Sequence, residues 1–405
     1  MHKRNKNSYL FIHSGGVTPV VNAVAHKIYE LTAGRSDKLY LSSHGINGIL
    51  QGSLIDAQDI PAKEWSQIQF TPGSSFGSSR VRLPSDPEAL ESLFSTLDQY
   101  NITTLLCNGG NNSQLITLKL QEAADALGYP LQCIGIPKTI DNDIYHTDTC
   151  PGFGSAAKYT ATSVFEMSLD LAAMCQSSTQ VLIYEAMGRD TGWLAAASAL
   201  ARPYAQTSPH IILVPEARFS IKAILEKTKT TVAEQGFCVI VIAEGAIDQD
   251  KVLHSHPHHR YRSLHLDAIL QQSLNLKTHV VIPDYLQRSA HHIASKTDLE
   301  QAASLAEHAL KLATDGLSGI MVNIKRLSTS PYRWTTEHID LTQIAGRTRL
   351  LPNHFIDKSQ LDITESCIKY ITPLIQGEIT LPYKNGIPNY SHLIYPKITI
   401  QEDPS

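Results

Sequence analysis

Residues 131–143 read LQCIGIPKTIDND, an apolar run that ends in a proline and a polar segment. The run from Leu131 to Ile136 is typical of a buried strand, because it is short, apolar and bounded by turn-forming residues. The polar segment from Pro137 to Asp143 then predicts a loop at the carboxyl end of that strand. Ligands bind at this edge of an open parallel sheet. The stretch therefore indicates both the fold class and the position of a ligand site.

The same arrangement recurs along the chain. Six further short apolar runs predict strands at residues 9–13, 103–107, 180–184, 210–214, 237–243 and 279–282. Helical patterns separate them, and this alternation predicts an α/β fold with mostly parallel sheets. The pair Ser85 and Glu88 predicts a capping box at one helix start. Gly128 and Pro130 should end the helix that follows Asn112.

Five polar motifs lie just beyond predicted strands. They are GGVTP at Gly15, NGGNNS at Asn108, PKTIDND at Pro137, EAMGRDTG at Glu185 and PE at Pro215. Because the carboxyl ends of parallel strands meet at one edge of a sheet, we expect these loops to form one site.

Length and composition restrict the class of protein. The chain has 405 residues, which predicts two domains or lobes, and its net charge of −4 disfavours nucleic acid as a partner. The six cysteines are scattered without CxxC pairs, which indicates a reduced cytoplasmic setting. The apolar run Tyr9 to Ile12 is too short for an export signal, and no run has the roughly 18 apolar residues of a membrane span.

Two kinds of motif suit phosphoryl chemistry. The pairs Gly15-Gly16 and Gly109-Gly110 each follow a predicted strand and precede a helix, whose free N–H groups can hold phosphate. The i, i+2 spacing of Asp141 and Asp143 would point both carboxylates the same way in an extended segment. One could accept a proton while the other holds a magnesium ion. The alternative is an Asp-Asn-Asp turn that only caps its own backbone.

Eight motifs in order resemble those of the phosphofructokinase family. They are GGVTPVVNA, FGSSR, NGGNNS, PKTIDND, PGFGSAAKYTATS, EAMGRDTGW, VPE and YLQR, and they extend from Gly15 to Arg288. The resemblance implies two similar three-layer α/β/α lobes. It implies a donor lobe of residues 1–152 plus about 287–345, and a sugar-phosphate lobe of residues 153–286 plus about 346–405 with a C-terminal wrap.

The resemblance also implies roles for matching residues. Asp141 would be the general base for the sugar 1-hydroxyl, with Asp143 and Lys138 beside it and Thr139 steadying the sugar. The sugar-phosphate residues would be Met187, Gly188, Arg189, Glu216, Tyr285 and Arg288. The donor residues would be Gly15, Gly16, Arg80, Gly110, Asn111, Asn112 and Ser113. Asn111 and Asp143 would hold Mg²⁺.

Two positions indicate the phosphoryl donor. ATP-using members resemble one another in having glycine where this chain has Asn112 and Lys138. Pyrophosphate-using members resemble one another in a bulkier residue, usually aspartate, at the first position and lysine at the second. Asn112 should obstruct adenosine, while Lys138 adds charge for a compact, highly anionic donor. The resemblance therefore implies reversible, pyrophosphate-dependent phosphorylation of fructose 6-phosphate to fructose 1,6-bisphosphate in glycolysis or gluconeogenesis, by a cytoplasmic homodimer or homotetramer.

Several departures from the family pattern leave alternatives open. Asn111 stands where most members have aspartate, and Ser289-Ala290 replaces a glycine pair. A count without gaps places Gln180 and His279 where the family has arginines that reach a neighbouring subunit. The alternatives are an ATP-dependent enzyme, a kinase of another sugar phosphate such as sedoheptulose 7-phosphate, and a non-catalytic sugar-phosphate-binding paralogue. The histidine-rich segment HSHPHHR at residues 254–260 predicts a polar loop rather than a metal site.

Overall fold

The protein is described here by a computed structural model that covers residues 7–84, 86–202, 208–254 and 261–391. The strands of these residues are β1 (Ser8–Ser14), β2 (Lys38–Ser42), β3 (Leu54–Asp56), β4 (Thr104–Gly109), β5 (Gln132–Pro137), β6 (Val181–Ala186), β7 (Ile211–Leu213), β8 (Cys238–Ala243), β9 (Thr278–Val281), β10 (Ile320–Thr329), β11 (Tyr332–Asp340), β12 (Ile356–Asp357), β13 (Asp362–Ile363), β14 (Tyr383–Lys384) and β15 (Ile387–Pro388).

The α-helices of the same residues alternate with these strands. They are α1 (Val21–Thr32), α2 (Ile46–Leu50), α3 (Ala62–Ile68), α4 (Pro87–Gln99), α5 (Asn111–Leu127), α6 (Phe153–Met174), α7 (Trp193–Ala197), α8 (Ile221–Gln235), α9 (Arg262–Leu274), α10 (Leu286–Ser289), α11 (Lys296–Thr314) and α12 (Glu365–Ile371). In the described part of the chain, no helix combines the length and apolar character needed to cross a membrane.

The larger sheet has seven strands in the order β11-β10-β5-β4-β1-β2-β3. Its centre is parallel, from β10 through β5, β4 and β1 to β2, while β3 and β11 run antiparallel at the two edges. Strands β1 and β4 are buried along their whole length, as expected for parallel strands covered by helices on both faces. The chain completes this sheet with β10 and β11 only after it has built the smaller one.

The smaller sheet has the order β7-β8-β6-β9, and all its pairs are parallel. Strands β6 and β8 are buried throughout and form the middle of a second core with Trp193, Phe153 and Leu374. The residues from Leu351 to Ile375 wind over this core in short elements. The predicted α/β fold with two mostly parallel sheets is therefore confirmed.

All seven predicted strands are present, with ends shifted by one or two residues. The prediction missed β2, β3, β10 and β11. The outer halves of β10 and β11 alternate between exposed and partly buried residues such as Lys325 and Arg326, so they lack the continuous apolar run of a central strand.

The helix ends follow local chemistry. Helix α5 ends at Gly128, which adopts a left-handed conformation with φ of 64°, as predicted. The predicted cap of α4 is wrong, because the Asp86 side chain accepts a hydrogen bond from the Ala89 amide at 3.0 Å and Pro87 occupies the first helical position. Proline suits that position because the amide it lacks would have no partner there. Ser85 and residues 255–260 of the histidine-rich segment lie outside the described residues, as does the His254 side chain.

Candidate active site

The first predicted phosphate loop, which contains Gly15 and Gly16, leaves the carboxyl end of β1. Gly15 has a φ of 87° and donates its amide to the Ser79 carbonyl at 3.0 Å, which fixes the turn. A Cβ atom added to Gly16 would lie 2.9 Å from Nη1 of Arg288. Glycine at these positions therefore permits both the backbone conformation and the close approach of a cation.

The second phosphate loop leaves β4 and begins α5. Gly110 is the N-cap of α5, so the amides of the first helical turn point towards the cavity between the loops. Ser113 is buried, and its hydroxyl is 3.4 Å from the Ser14 carbonyl of the first loop. Asn112 is exposed and lines the same cavity. Both predicted phosphate loops therefore face one space.

The polar segment that follows β5 lies between these loops. Lys138 is only 2% exposed, and its Nζ atom donates a hydrogen bond to the Gly16 carbonyl. The hydroxyl of Thr139 accepts a hydrogen bond from the Asp141 amide at 3.0 Å. Lys138 is therefore part of the interior of the site and not a solvated loop lysine.

The predicted extended geometry of the acidic triplet is wrong in detail. Asn142 has a φ of 52°, and its Oδ1 atom accepts a hydrogen bond from the Cys150 amide at 2.9 Å. Asparagine tolerates this left-handed conformation better than most residues do. The turn buries Asn142 and leaves both Asp141 and Asp143 facing the cavity. The two carboxylates therefore share one space, but a turn and not a straight strand brings them there.

Burial dominates the electrostatics of this segment. It raises the pKa of Asp141 to about 7, with further increases from the charges of Asp143 and Glu244, while Lys138 and Arg189 oppose the shift. Burial also lowers the pKa of Lys138 to about 8, although Asp141 opposes that shift and Arg288 adds to it. Both groups therefore titrate near neutral pH, where a general base and a switchable cation are chemically useful.

Asn111 contacts the second carboxylate. Its Nδ2 atom donates to Asp143 Oδ2 at 2.7 Å and to the Asp143 carbonyl at 3.2 Å. Burial raises the pKa of Asp143, and hydrogen bonds to its carboxylate from its own amide, the Thr139 side chain and the Asn111 side chain oppose the shift. Asn111 therefore lies where the sequence placed it, but in this structure its amide nitrogen orients Asp143.

The predicted sugar side follows β6. Met187, Arg189 and Thr191 line the cavity, and the Thr191 hydroxyl donates to the Asp141 carbonyl at 3.0 Å. The Arg189 side chain is 79% exposed, and its Nε atom lies 3.6 Å from Oε1 of Glu244. Gly188 has a φ of 127°, and a Cβ atom there would lie 2.2 Å from the Thr191 carbonyl oxygen. Gly188 therefore shapes this loop without lining the cavity itself.

Three predicted sugar-phosphate residues differ from their expected positions. Glu216 does not line the cavity, because its carboxylate accepts hydrogen bonds from the Gly192 amide at 3.1 Å and the Leu351 amide at 2.8 Å. Tyr285 is 64% exposed and stacks on Arg288, whose Cζ atom lies 4.3 Å from the ring centroid. Arg288 lines the cavity on the donor side, against Gly16.

The positions of Gln180 and His279 explain why neither contributes to the cavity of its own chain. Gln180 precedes the first residue of β6, while Met187 follows the last. Six strand residues separate these ends by roughly 20 Å. His279 lies in the edge strand β9.

Four charged residues that line the cavity were not among the predicted site residues: Arg82, Lys119, Asp190 and Glu244. Glu244 follows the carboxyl end of β8, so the rule that found the other loops would also have found it. Lys119 lies on α5 two turns beyond Asn112, on the same face of the helix. In the described part of the chain, Arg80, Arg82 and Lys119 form no ion pair.

The cavity joins all these loops and has a volume of about 910 Å³, which is large for a small-molecule site. Its cations come from the segment between α3 and α4, from α5 and α10, and from the loops after β5 and β6, while its carboxylates come from the loops after β5, β6 and β8. It can therefore accept a polyanion on one side and a hydroxyl-bearing substrate on the other, with Asp141 between them.

Comparisons with known proteins agree with this geometry. The family model described as "Phosphofructokinase" matches residues 8–313. The pyrophosphate–fructose 6-phosphate 1-phosphotransferase of Xanthomonas campestris pv. campestris is 44% identical and covers 95% of this chain and 95% of its own length. The protein of the same name from Halomonas elongata is 39% identical and covers 96% of each chain. The crystal structure of the pyrophosphate-dependent phosphofructokinase from Nitrosospira multiformis has a TM-score of 0.90 at 38% identity, over 96% of this chain and 97% of its own.

Proposed function

The chain belongs to the phosphofructokinase family, and we propose that it transfers a phosphoryl group from pyrophosphate to the 1-hydroxyl of fructose 6-phosphate. The products are fructose 1,6-bisphosphate and phosphate, and the reaction is reversible, which suits glycolysis and gluconeogenesis. The relatives that carry this activity in their names match almost the whole chain. The protein is therefore a phosphotransferase with an alcohol group as acceptor.

The single observation that carries the donor assignment is the burial of Lys138. Its ammonium group lies under the first phosphate loop, bonded to the Gly16 carbonyl, and faces the same cavity as Asp141. A buried cation at this point offers a compact charge to a small, highly charged anion. Pyrophosphate matches that demand better than the phosphate tail of a nucleotide, whose adenosine would meet the Asn112 side chain.

The remaining donor contacts come from the two phosphate loops. Gly15 and Gly16 bring backbone close to the anion, and the amides of Gly110, Asn111, Asn112 and Ser113 lie at the start of α5, where the helix dipole favours negative charge. The exposed guanidinium of Arg80 lies at the rim of the same cavity. Arg288 adds a second guanidinium to these proposed donor contacts, because it lies against Gly16.

Asp141 is the proposed general base. Its carboxylate takes the proton of the 1-hydroxyl while the hydroxyl oxygen attacks the nearer phosphorus of pyrophosphate, and phosphate leaves. A pKa raised to about 7 leaves the group half ionised near neutral pH, so it can accept the proton and return it in the reverse reaction. Thr139 fixes the Asp141 amide, and Thr191 fixes its carbonyl.

The sugar phosphate is proposed to lie against the loops after β6 and β8. Met187 and Arg189 line this side, and Glu244 pairs with Arg189. Arg288 lines the same cavity from the donor side, against Gly16. Glu216 has no place in this set, because backbone amides occupy its carboxylate.

The residues present fit a magnesium ion. Asp141 and Asp143 face one space, and burial raises the pKa of both carboxyl groups. Neither carboxylate forms an ion pair with another described residue. Mg²⁺ is commonly held by one or two carboxylates together with substrate phosphates, so a full protein cage is not needed. Asp143 would hold the ion, and Asn111 would orient the Asp143 carboxylate through its hydrogen bond to Oδ2. When bound, Mg²⁺ would neutralise charge on the phosphates.

Three further properties remain proposals. A reduced cytoplasmic setting is supported by six cysteines that are all buried and free. Assembly into a homodimer or homotetramer is supported by the location of Gln180 and His279 away from the cavity of their own chain. The lobe limits at residues 152–153, 286–287 and 345–346 are supported by β10 and β11, which return to the larger sheet.

A donor and acceptor comparison tests the function. Purified protein with Mg²⁺ would be offered pyrophosphate or ATP, with fructose 6-phosphate or sedoheptulose 7-phosphate as acceptor, and bisphosphate formation measured. We expect turnover with pyrophosphate and fructose 6-phosphate to exceed that with ATP by at least a hundredfold in kcat/KM. Strong turnover with ATP alone would overturn the donor assignment, and a higher kcat/KM for sedoheptulose 7-phosphate would overturn the acceptor. No turnover with any pair would favour a non-catalytic paralogue.

A further inference from the structure

A closed chain of hydrogen bonds joins the two ends of the acidic triplet. On one side, the Thr191 hydroxyl holds the Asp141 carbonyl. On the other side, the Arg349 amide donates to the Asp143 carbonyl at 2.7 Å, and an isolated β-bridge pairs Thr348 with Ile144. The triplet is therefore held at both ends by segments that are distant in sequence.

Glu216 connects these two holding segments. Both its carboxylate oxygens lie 3.1 Å from the Gly192 amide, next to Thr191. Its Oε1 atom also accepts a hydrogen bond from the Leu351 amide at 2.8 Å. Leu351 lies two residues after Arg349. One carboxylate therefore fixes the spacing between the loop that holds Asp141 and the segment that holds Asp143.

The surroundings allow little movement in this arrangement. A Cβ atom at Gly192 would lie 2.4 Å from Cβ of Val214 and 3.0 Å from Oε2 of Glu216, so only glycine fits. The Arg349 guanidinium lies 4.6 Å from the Trp193 ring and donates to the Tyr370 hydroxyl at 2.9 Å. These contacts hold the C-terminal segment against the start of α7.

We propose that Glu216 is a positioning residue for phosphoryl transfer, which sets the distance between Asp141 and Asp143 without contacting either substrate. This inference rests on the proposed function for its catalytic consequence. It differs from the sugar-phosphate contact expected from the sequence, because a positioning residue acts on kcat and a substrate contact acts on KM.

The test compares Glu216→Gln with the wild-type protein. The glutamine side chain has the same size, but its NH₂ group replaces one acceptor, so one of the two loops loses its partner. We expect kcat with pyrophosphate to fall about tenfold to a hundredfold, because small misplacements of reacting groups have effects of this size. The KM values for both substrates should stay within twofold. A tenfold rise in KM for fructose 6-phosphate at unchanged kcat would overturn the proposal.

A control variant separates positioning from a general loss of structure. The control is Asp248→Asn, since the Asp248 carboxylate also accepts two backbone amides, from Val252 at 2.7 Å and Leu253 at 2.9 Å. An equal loss of kcat in this control would refute positioning.

A second variant and a measurement independent of turnover complete the design. Thr191→Val removes the hydroxyl bond to the Asp141 carbonyl, and combining it with Glu216→Gln should lower kcat by less than the product of the single effects. Amide hydrogen exchange of residues 139–150 should rise in Glu216→Gln and not in Asp248→Asn. Unchanged exchange would overturn the positioning role, whereas raised exchange in a protein without turnover would refute only the proposed function.

Discussion

Replacement of Lys138 by methionine tests two things together: the proposed contact with the phosphoryl donor, and the free-energy cost of burying the lysine charge. The Lys138 side chain is 2% exposed, and methionine fills a similar volume without charge. Removal of one preorganised charge from a transition state commonly lowers kcat by a factor of about 10² to 10³. We therefore expect Lys138→Met to lose about that factor in kcat/KM for pyrophosphate, while the affinity for fructose 6-phosphate stays within threefold.

The same substitution should stabilise the fold. Burial lowers the pKa of Lys138 from 10.5 to about 8, because it disfavours the charged form. At about 1.36 kcal/mol per unit, the buried charge costs on the order of 3 kcal/mol. That cost is fully present below pH 8, where folded and unfolded chains are both protonated, and disappears as the pH rises from about 8 to 10.5.

The net gain in stability should be smaller than this figure. Lys138 lowers the pKa of Asp141, so its removal raises that pKa above 7 and makes the remaining carboxylate more costly to ionise. We therefore expect a positive change in the free energy of unfolding at pH 7, below about 3 kcal/mol. The acid limb of the pH–rate profile should move to higher pH for the same reason.

Urea unfolding, steady-state kinetics and a pH series measure these effects. Lys222→Met is the control, because the Lys222 side chain is 84% exposed, and this variant should match the wild type in all three. Two results would refute the reasoning: kcat/KM for pyrophosphate within threefold of wild type, or a lower urea midpoint for Lys138→Met than for the wild type.

Three other variants or conditions give direct tests. Asn112→Gly should raise the ratio of kcat/KM for ATP to that for pyrophosphate, because it removes the side chain that would meet adenosine; an unchanged ratio in donor assays would show that Asn112 is not the obstruction. Asp141→Asn should lower kcat by a factor of about 10² to 10⁴ in both directions while calorimetry finds unchanged affinity for fructose 6-phosphate, and full activity would remove Asp141 from the mechanism. Chelation of divalent cations with EDTA should abolish turnover until Mg²⁺ is returned in excess, whereas persistent activity would contradict a metal requirement.

Local chemistry was sufficient to predict most of the fold. Seven strands were readable because each is a short apolar run bounded by turn residues, and the end of α5 was readable because Gly128 can adopt a left-handed conformation. The phosphate loops and the acidic segment followed from the rule that parallel strands present their carboxyl ends at one edge. The hairpin of β10 and β11 was missed because it pairs at an edge and does not need a continuous apolar run.

Tertiary structure decided which of two glutamates enters the cavity. Glu216 and Glu244 follow the carboxyl ends of β7 and β8, so the sequence alone treats them alike. The strand order β7-β8-β6-β9 puts β8 beside β6, where Glu244 meets Arg189, and puts β7 one strand further away. With a spacing of about 4.8 Å between neighbouring strands, the loop after β7 starts roughly 10 Å from that after β6.

The acidic segment 137–143 also combines features that the sequence predicted with features that only the tertiary structure decided. Its residue types and its place after a strand predicted a ligand loop, and the resemblance to the phosphofructokinase family implied Asp141 as the proposed base and Lys138 as the proposed donor contact. The burial of Lys138, the turn at Asn142 and the hydrogen bonds that hold Asp141 and Asp143 came only from packing against residues far along the chain, such as Thr191 and Arg349. Sequence determines which groups a loop offers, but long-range contacts fix their spacing and their pKa, because both depend on neighbours that local sequence does not name.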